Sequence, residues 1–324
     1  MLALCVRRLA QSVAVLFVMS LLVFAGVYAV GNPVDILVNP QSDQNEIARA
    51  TAALGLDRPL IEQYFVFVAH AASGDLGRSF AFNVPAIGLI LERMPATLEL
   101  ASAAMLIAVL LGIPLGLWAG LEPRSAAGRT IMAASILGFS LPTFWIGLML
   151  ILVFSVWLGW LPTSGRGPTA NLLGIPVSFL TAEGLRHLVL PAANLALFNL
   201  SLVIRLTRSG TREAMRQDYV RFARAKGLTE TRVVGVHVLR NVLVPVVTVA
   251  GVEFGSVIAF AVVTESIFAW PGMGKLLIDS INVLDRPVIV GYLCIVVTLF
   301  VAINLLVDVA YPWLDPRVRP GGAR

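Results

Sequence analysis

The sequence predicts an all-α membrane protein with six transmembrane helices and both termini in the cytoplasm. Three observations predict this fold class: the composition, the six long apolar spans and the uneven distribution of basic residues. The chain has 324 residues, of which 58% are hydrophobic and only 13% are charged. Soluble domains carry about 25% charged residues, so the composition excludes an ordinary soluble protein.

The apolar spans cover residues 9–30, 97–120, 131–158, 188–206, 242–264 and 288–311. About 20 apolar residues in a helix cross the hydrocarbon core of a bilayer, which is roughly 30 Å thick. Backbone groups in lipid must be satisfied within the segment itself, and an α-helix does this. Each span is therefore predicted to be a transmembrane helix.

The basic residues set the orientation. With the N-terminus inside, the inner segments are 1–8, 121–130, 207–241 and 312–324, and with Arg205 they hold 16 of the 24 Lys and Arg residues. Cytoplasmic loops collect Lys and Arg, which also explains the net charge of +5 without nucleic acid as a partner. Three regions are expected: residues 1–96 with the first helix and an extracytoplasmic segment, a core at 97–311 containing the inner segment 207–241, and a cytoplasmic tail at 312–324.

The outer segments contain structure of their own. LIEQYFVFVAHAASGDLGRSF, which begins at Leu60, has apolar positions that suit a short helix on the membrane surface. Residues 165–176 carry the Gly, Pro and Asn of an irregular loop. Residues 267–281 begin with a Trp-Pro-Gly turn and continue as an amphipathic helix. Trp157, Trp160 and Trp270 are expected near the outer interface, where aromatic belts form.

Catalytic and metal-binding motifs do not occur in the sequence. It has no G-x-x-x-x-G-K-[ST], H-E-x-x-H, C-x-x-C or G-x-S-x-G, and its two cysteines are far apart, with Cys5 before the first apolar span and Cys294 inside the last. The chain is therefore expected not to be an enzyme and to bind no cofactor or metal itself.

Several polar residues lie within the apolar spans. Ionisable groups in a membrane are costly and often functional. For Glu253, a structural or cavity-lining role stands beside ion coupling, and Gly251 with Gly255 forms a small-xxx-small pair that permits close helix packing. The candidates for lining a pore or packing helices are Glu253, Gly251, Gly255, Asn194 and Asn199.

The inner segment 205–241 has helical periodicity. Arg205, Arg208, Arg212 and Arg216 form one stripe, whereas Met215, Tyr219 and Phe222 form an apolar face. Gly227 follows Ala225 and Lys226 as at a helix C-terminus, and a second helix can begin near Thr229 or Thr231. A basic loop that binds anionic lipid is the alternative, but the ordered apolar face suggests a surface that a protein partner or other helices cover.

This segment carries the resemblance to a known family. DYVRFARAKGL followed by VHVLRNVLVPVV is similar to the cytoplasmic loop signature of ABC importer permeases, and is most similar to the branch that imports dipeptides, oligopeptides and nickel. Ala223 and Gly227 match the signature, whereas Arg221 and Phe222 depart from it. GDLGRSF, ERMPATLEL, SLPTFWIGLMLI, LGWLPTSG, TESIFAWPGMGKLL and LDPRVR extend the resemblance over nearly the whole chain.

The resemblance implies a type I ABC importer permease architecture in the bacterial inner membrane. The expected partners are a homologous second permease, two cytoplasmic ATPase subunits that bind ATP and Mg, and an extracytoplasmic binding protein that delivers a peptide. The ATPase-coupling residues would be Asp218, Tyr219, Arg221, Phe222, Ala223, Arg224, Ala225, Lys226, Gly227 and Leu228. The expected contacts for the binding protein are Asp75, Arg78, Trp270, Pro271 and Gly272.

Three alternatives remain open at the level of sequence. The same subunit could import nickel or glutathione, because the binding protein selects the substrate. A secondary transporter that works alone would use Glu253 or Asp308 for ion coupling and would need no ATPase. A scaffold or sensor without transport would use the basic segment to bind a signalling partner.

Overall fold

The computed structural model describes residues 2–29, 44–53 and 57–314. Residues 31–43, which belong to the predicted extracytoplasmic segment, and the tail beyond Leu314 lie outside the described residues. Within the described ranges most of the chain is helical, as the apolar spans predict.

The helices are α1 (Leu2–Ala29), α2 (Gln44–Ala53), α3 (Leu60–Ala72), α4 (Ala86–Leu121), α5 (Ala126–Ser140), α6 (Thr143–Trp157), α7 (Ala182–Ala214), α8 (Asp218–Ala225), α9 (Glu230–Ile267), α10 (Met273–Asn282) and α11 (Arg286–Leu314). The last part of α6, Ile151–Trp157, and a turn near the start of α9, Val233–Val238, are π-helical.

Four helices in the described part of the chain are long and apolar enough to cross a membrane: α4, α7, α9 and α11. A fifth span results if the bent pair of α5 and α6 is counted as one. Within α1, Ala10–Gly26 is a shorter apolar helix. Predicted spans two, four, five and six thus lie within these four helices, which extend beyond the apolar stretches at their ends.

The third predicted span, 131–158, is not one straight helix. It is broken at Leu141 and Pro142, where the chain bends by 110° between the axes of α5 and α6. Leu141 (φ −83°, ψ 140°) and Pro142 (φ −62°, ψ 131°) both have extended backbones. Pro lacks an N–H group, and its ring disfavours the helical conformation of the preceding residue. The expectation of a single helix here was wrong for that reason.

The sequence predicted an irregular loop at 165–176 and an all-α fold, and both predictions were wrong in one respect: this loop contains a short β-hairpin. Strand β1 (Ala170–Leu172) pairs antiparallel with β2 (Ile175–Val177). Leu173 and Gly174 connect the strands with φ values of +53° and +87°. A two-residue turn with positive φ at both positions matches the twist of a hairpin, which explains the glycine.

The core is built on close contact between α4 and α7. A Cβ atom at Gly116 would lie 2.6 Å from the carbonyl oxygen of Ile204 and from Cβ of Thr207, so only glycine allows this approach. Gly112 and Gly120 contact Val203 and Thr211 in the same way. Small residues that let backbones approach are the usual basis of helix packing in membranes.

The remaining helices surround this pair. Buried side chains of α9, α10 and α11 complete the largest apolar cluster, in which Trp270, Met273 and Val288 are fully buried. The long α1 packs against α11 and against the surface helix α3. There the hydroxyl groups of Ser20 and Tyr64 are 2.8 Å apart.

Candidate functional site

The inner segment folds as a helix, a glycine turn and a second helix, as its sequence predicts. It contains one additional break: α7 ends at Ala214, and Gln217 has an extended backbone before α8 begins at Asp218. Met215 therefore does not share a helix with Tyr219 and Phe222, and Arg216 lies beyond the arginine stripe of α7. The prediction of one continuous apolar face was wrong in this respect, because a turn separates its first member from the others.

Gly227 closes α8 with a φ of +76°. Its N–H donates to the carbonyl of Arg224 (2.9 Å), and the N–H of Leu228 donates to that of Ala223 (3.3 Å). This is the Schellman arrangement, in which a left-handed residue satisfies the last carbonyls of a helix. Thr229 then has the extended backbone of a cap residue before α9, although its side chain makes no capping hydrogen bond.

One face of α8 packs against the rest of the protein. Val220 is fully buried and Ala223 is 5% exposed, and both belong to an apolar cluster with Val233, Val238 and Val242 of α9. The cluster also includes residues of α7. The valines of α9, spaced for one helical face, thus hold α8 across the start of α9.

The opposite face of α8 is exposed in the part of the chain that the structure describes. Phe222 is 69% exposed and Tyr219 is 38% exposed, and the hydroxyl of Tyr219 accepts a hydrogen bond from Asn241 (3.3 Å). Exposed aromatic rings next to basic side chains are typical of the energetically dominant residues in protein interfaces. Such rings are costly to leave in water, so this face is suited to a protein partner.

Charged pairs border this face. Arg224 donates two hydrogen bonds to the carboxylate of Glu230, at 2.7 and 3.0 Å, and thus connects α8 with the first turn of α9. The pair raises the pKa of Arg224 and lowers the pKa of Glu230, with the side-chain hydrogen bond as the main cause in both. Arg221 pairs with Asp218 at 3.4 Å. Lys226 and Ala225 are exposed.

On the outer side, the loop before α7 is clamped to α4 by Glu99. Both Nε (3.0 Å) and an Nη of Arg166 donate to one carboxylate oxygen of Glu99. The other oxygen accepts from the N–H (2.7 Å) and hydroxyl (2.8 Å) of Ser178 and from the N–H of Phe179 (3.0 Å). The side chain of Glu99 is 3% exposed and that of Arg166 is 11% exposed. Full pairing makes this buried charge tolerable.

The Trp-Pro-Gly turn encloses a second buried carboxylate, that of Glu265. It accepts from the hydroxyl of Thr97 (2.7 Å) and from the N–H of Lys275 (3.0 Å) in the first turn of α10. A Cβ atom at Gly272 would lie 2.3 Å from this carboxylate, so glycine is required there. Sequence reasoning missed Glu265, although it lies five positions before Trp270 within the quoted segment TESIFAWPGMGKLL.

Trp270 is not an exposed member of an aromatic belt. Its side chain is fully buried, and its indole N–H donates to the carbonyl of Ala96 (2.9 Å). It therefore offers no side-chain surface to a partner, and Gly272 is buried as well, whereas Pro271 is half-buried. The indole instead orients the turn, because a buried N–H needs an acceptor and finds one on α4. Trp157 and Trp160 are 71% and 61% exposed.

Asp75 and Arg78, the other predicted docking residues, lie in the turn before α4. Both are exposed; Asp75 accepts from the N–H of Gly77 (3.1 Å), and Arg78 donates to the carbonyl of Asn83 (3.0 Å). The fully buried carboxylate of Asp285 accepts from the hydroxyl of Ser79 and from the N–H of Phe80 (3.0 Å). This contact joins the turn to the start of α11.

The residues predicted for the pore or for packing are separated in the structure. Gly251 and Gly255 face α11: Cβ atoms there would lie 2.9 Å from Val307 and 2.8 Å from Phe300. Asn194 is fully buried and donates to the hydroxyl of Thr264 (3.0 Å), and Asn199 is 5% exposed. Glu253 is half-buried. The two glycines thus pack helices.

The described residues contain no group of three or more His, Cys, Asp or Glu side chains that could hold a metal ion. The arrangement provides two surfaces: the exposed aromatic face of α8, and at the other end of the helices a set of turns held by buried carboxylates.

The chain is similar along nearly its whole length to known membrane proteins. The chain is 42% identical to the di/tripeptide transport system permease protein DppB of Pseudomonas aeruginosa (strain UCBPP-PA14), over 98% of this chain and 99% of the relative. It is 38% identical to the dipeptide transport system permease protein DppB of Escherichia coli (strain K12), with the same coverage. A putative peptide transport system permease protein of Brucella abortus (strain 2308) is 39% identical over the same shares.

Solved structures with the same fold include a methionine ABC transporter in inward-facing conformations (TM-score 0.53, 15% identity) and an amino acid ABC transporter crystallised with histidines (TM-score 0.50, 16% identity). Each covers 71% of this chain, and 97% and 94% of the two solved chains are matched. Two family models also match, for the N-terminal part (residues 1–101) and the main part (residues 112–320) of binding-protein-dependent transport system membrane components. The chain therefore belongs to the family of inner-membrane components of binding-protein-dependent transport systems, and it is a multi-pass protein of the inner membrane.

Proposed function

We propose that this chain is a permease subunit of an ATP-driven importer of dipeptides or oligopeptides. The names of the relatives that are 38–42% identical over nearly the full length support a peptide as the substrate. In this proposal six transmembrane helices, with both termini in the cytoplasm, form half of the passage. A homologous second permease provides the other half, and an extracytoplasmic binding protein delivers the peptide.

The observation that carries the proposal is the construction of α8. One face of α8 packs in the valine cluster of α9, whereas Phe222 and Tyr219 are exposed on the opposite face. A surface that is rigid and apolar at once can transmit a displacement, because the partner cannot move it without moving α7 and α9. We assign this surface to an ATPase subunit.

The charged residues of the segment complete the proposed contact. Arg221, Arg224 and Lys226 are exposed beside the two rings and would meet polar or acidic groups of the ATPase. Gly227 and Leu228 would fix the direction in which the chain passes from α8 into α9, and Ala223 would seat α8 on the valine cluster. ATP and Mg would be bound by the two ATPase subunits, and this chain would respond to their closure.

On the outer side, the turn with Asp75 and Arg78 and the exposed edge at Pro271 would contact the binding protein. Asp285 and Glu265 hold these two turns from beneath. Trp270 and Gly272 act in this proposal by shaping the turn. Asn194, Asn199 and Glu253 would contribute polar groups near the passage without ion coupling.

The test uses Phe222→Asp in the assembled importer. The ring is largely exposed, so the fold should survive, but a charge at an interface centre should reduce recovery of the ATPase with the permease by about 30-fold, the effect of a hot spot worth roughly 2 kcal/mol. Uptake of a labelled dipeptide by vesicles supplied with ATP and the binding protein should fall in parallel.

Leu173→Asp is the matched control, since Leu173 is 98% exposed at the tip of the outer hairpin. It should leave ATPase recovery unchanged. Equal recovery for the Phe222→Asp variant and the unsubstituted protein would contradict the assignment of α8. Peptide uptake driven by a proton gradient without ATP would contradict the importer itself.

A further inference from the structure

The elbow between α5 and α6, residues 139–145, has features that a lipid-facing segment does not have. All seven residues are exposed in this chain, including Phe139 at 46%, Phe144 at 53% and Trp145 at 45%. Apolar exposure alone is ordinary for a membrane protein, since lipid covers such side chains. The backbone of the elbow is the unusual part, because it is not helical at Leu141 and Pro142.

The break leaves backbone groups without partners. Among the hydrogen bonds of the described residues, none uses the N–H groups of Thr143, Phe144 or Trp145, and Pro142 provides no side-chain cap. The carbonyl groups of residues 138–141 likewise receive no hydrogen bond in the described part of the chain. Such groups occur at every helix end, where water normally satisfies them.

The elbow lies beside the middle of the apolar part of α7. Phe139 stacks on Phe198 of α7 with ring centroids 5.1 Å apart, and a Cβ atom at Gly147 would lie 3.4 Å from the side chain of Asn194. The uncharged part of α7 extends over residues 188–204, which is about 26 Å of helix. Its midpoint is near residue 196, so the elbow lies beside the middle of this stretch.

These observations are incompatible with a lipid environment for the elbow. Non-helical backbone at membrane depth is tolerated only where protein buries it or where it lines a water-filled cavity. In the part of the chain that the structure describes, residues 139–145 all remain exposed, although Phe198 and the guanidinium of Arg205 on α7 contact the ring of Phe139. The hydroxyl of Thr143 adds a polar atom to the same exposed surface, which suits water better than a close-packed apolar interface, whereas the hydroxyl of Ser140 donates to the carbonyl of Ile136 (2.8 Å).

We infer that the elbow lines the water-filled passage for the substrate, with its unpaired backbone groups hydrated or in contact with the passing substrate. The inference rests on the proposed function, since a passage of this kind requires a transporter. It assigns the broken third span, and not only the polar residues of α7 and α9, to the surface that substrate meets.

Cysteine labelling in the complete importer tests the inference. Cys5→Ser and Cys294→Ser provide a background without thiols, into which Ser140→Cys or Thr143→Cys is introduced. Right-side-out and inside-out membrane vesicles are treated with a charged, membrane-impermeant methanethiosulfonate. Leu22→Cys is the control, because Leu22 is 59% exposed on the unbroken helix α1, which packs on α11 and α3.

The elbow cysteines should react at least tenfold faster than Leu22→Cys in one of the two vesicle orientations. Equally slow reaction with the charged reagent, together with modification of all three by lipid-soluble N-ethylmaleimide, would place the elbow in lipid and overturn the inference. Resistance to both reagents together with cross-linking to the second permease would overturn it in favour of a subunit contact. Uptake of labelled dipeptide is measured separately, so failure of the peptide assignment is distinguishable from failure of the elbow assignment.

Discussion

Glu99→Gln is the substitution whose effect can be worked out most directly from the structure. One carboxylate oxygen accepts from Arg166 and the other accepts from Ser178 and Phe179. A glutamine has only one oxygen, so in either orientation its NH₂ group faces donors. Arg166, whose side chain is only 11% exposed, also loses the negative charge that pairs with it. Breaking a buried ion pair by removing one partner costs about 3–5 kcal/mol, and the loss here should lie in that range.

The assay is reversible unfolding of the purified chain in mixed micelles by SDS titration, followed by tryptophan fluorescence. Glu62→Gln is the control, because Glu62 and Arg58 form a pair in which each side chain is 52% exposed. Exposed pairs contribute at most about 1 kcal/mol. Trypsin should also cut after Arg166 in the Glu99→Gln variant, since the loop is released. A loss of unfolding free energy no larger than that of the control would refute the reasoning.

Two further predictions concern glycines. Gly227→Val should lower ATPase recovery and ATP-driven uptake while membrane insertion stays normal, because a β-branched residue in the left-handed conformation costs at least about 1–2 kcal/mol. Gly227→Asn should retain both activities, because asparagine tolerates this conformation. Equal activity of the two variants would contradict the role of this turn in contacting the ATPase. Gly255→Leu should lower the unfolding free energy by about 1–3 kcal/mol, because the new side chain would overlap Phe300. Gly88→Leu is the control and should not lower it, because no atom lies within 4 Å of a Cβ atom at Gly88. Similar unfolding curves for the two variants would contradict the packing of α9 on α11.

The sequence predicted the helices well where the signal is local. Long apolar stretches identify α4, α7, α9 and α11, because lipid requires continuous apolar helices of a certain length. Gly227 identified the turn after α8, because a helix that ends in a left-handed residue selects glycine. Each signal lies within one contiguous stretch of the chain, so a single sequence contains it in full.

The broken third span shows where local signals conflict. Its apolar composition predicts one helix over 131–158, and Pro142 lies near the middle of that stretch. Pro95, Pro114, Pro191 and Pro245 lie inside helices of the same protein without ending them. Whether a proline bends or breaks a helix depends on the neighbouring helices, and a sequence does not show those contacts.

The buried carboxylates could not have been found from spacing. Glu99 meets its partners 67 to 80 positions further along the chain, and Glu265 meets Thr97 across 168 positions. The apolar environment made Glu253, in the middle of a span, the most conspicuous acid. Of the acids with many partners, Glu265 lies in the last turn of α9 and Glu99 lies well inside α4, and loops fold back onto both and supply N–H groups.

The length of α9 connects the two surfaces on which the proposed importer depends. The helix has 38 residues, so it is about 57 Å long. Its first turns hold α8 through Val233 and Val238, and its last turn places Glu265 under the Trp-Pro-Gly turn and the start of α10. Its π-helical turn, Val233–Val238, is confined to the inner end. A displacement of α8 by an ATPase can therefore be absorbed locally at that turn or carried along the α-helical remainder. The buried cap at Glu265 makes the outer turn follow α9, because separating them would expose a carboxylate and the N–H of Lys275 without partners.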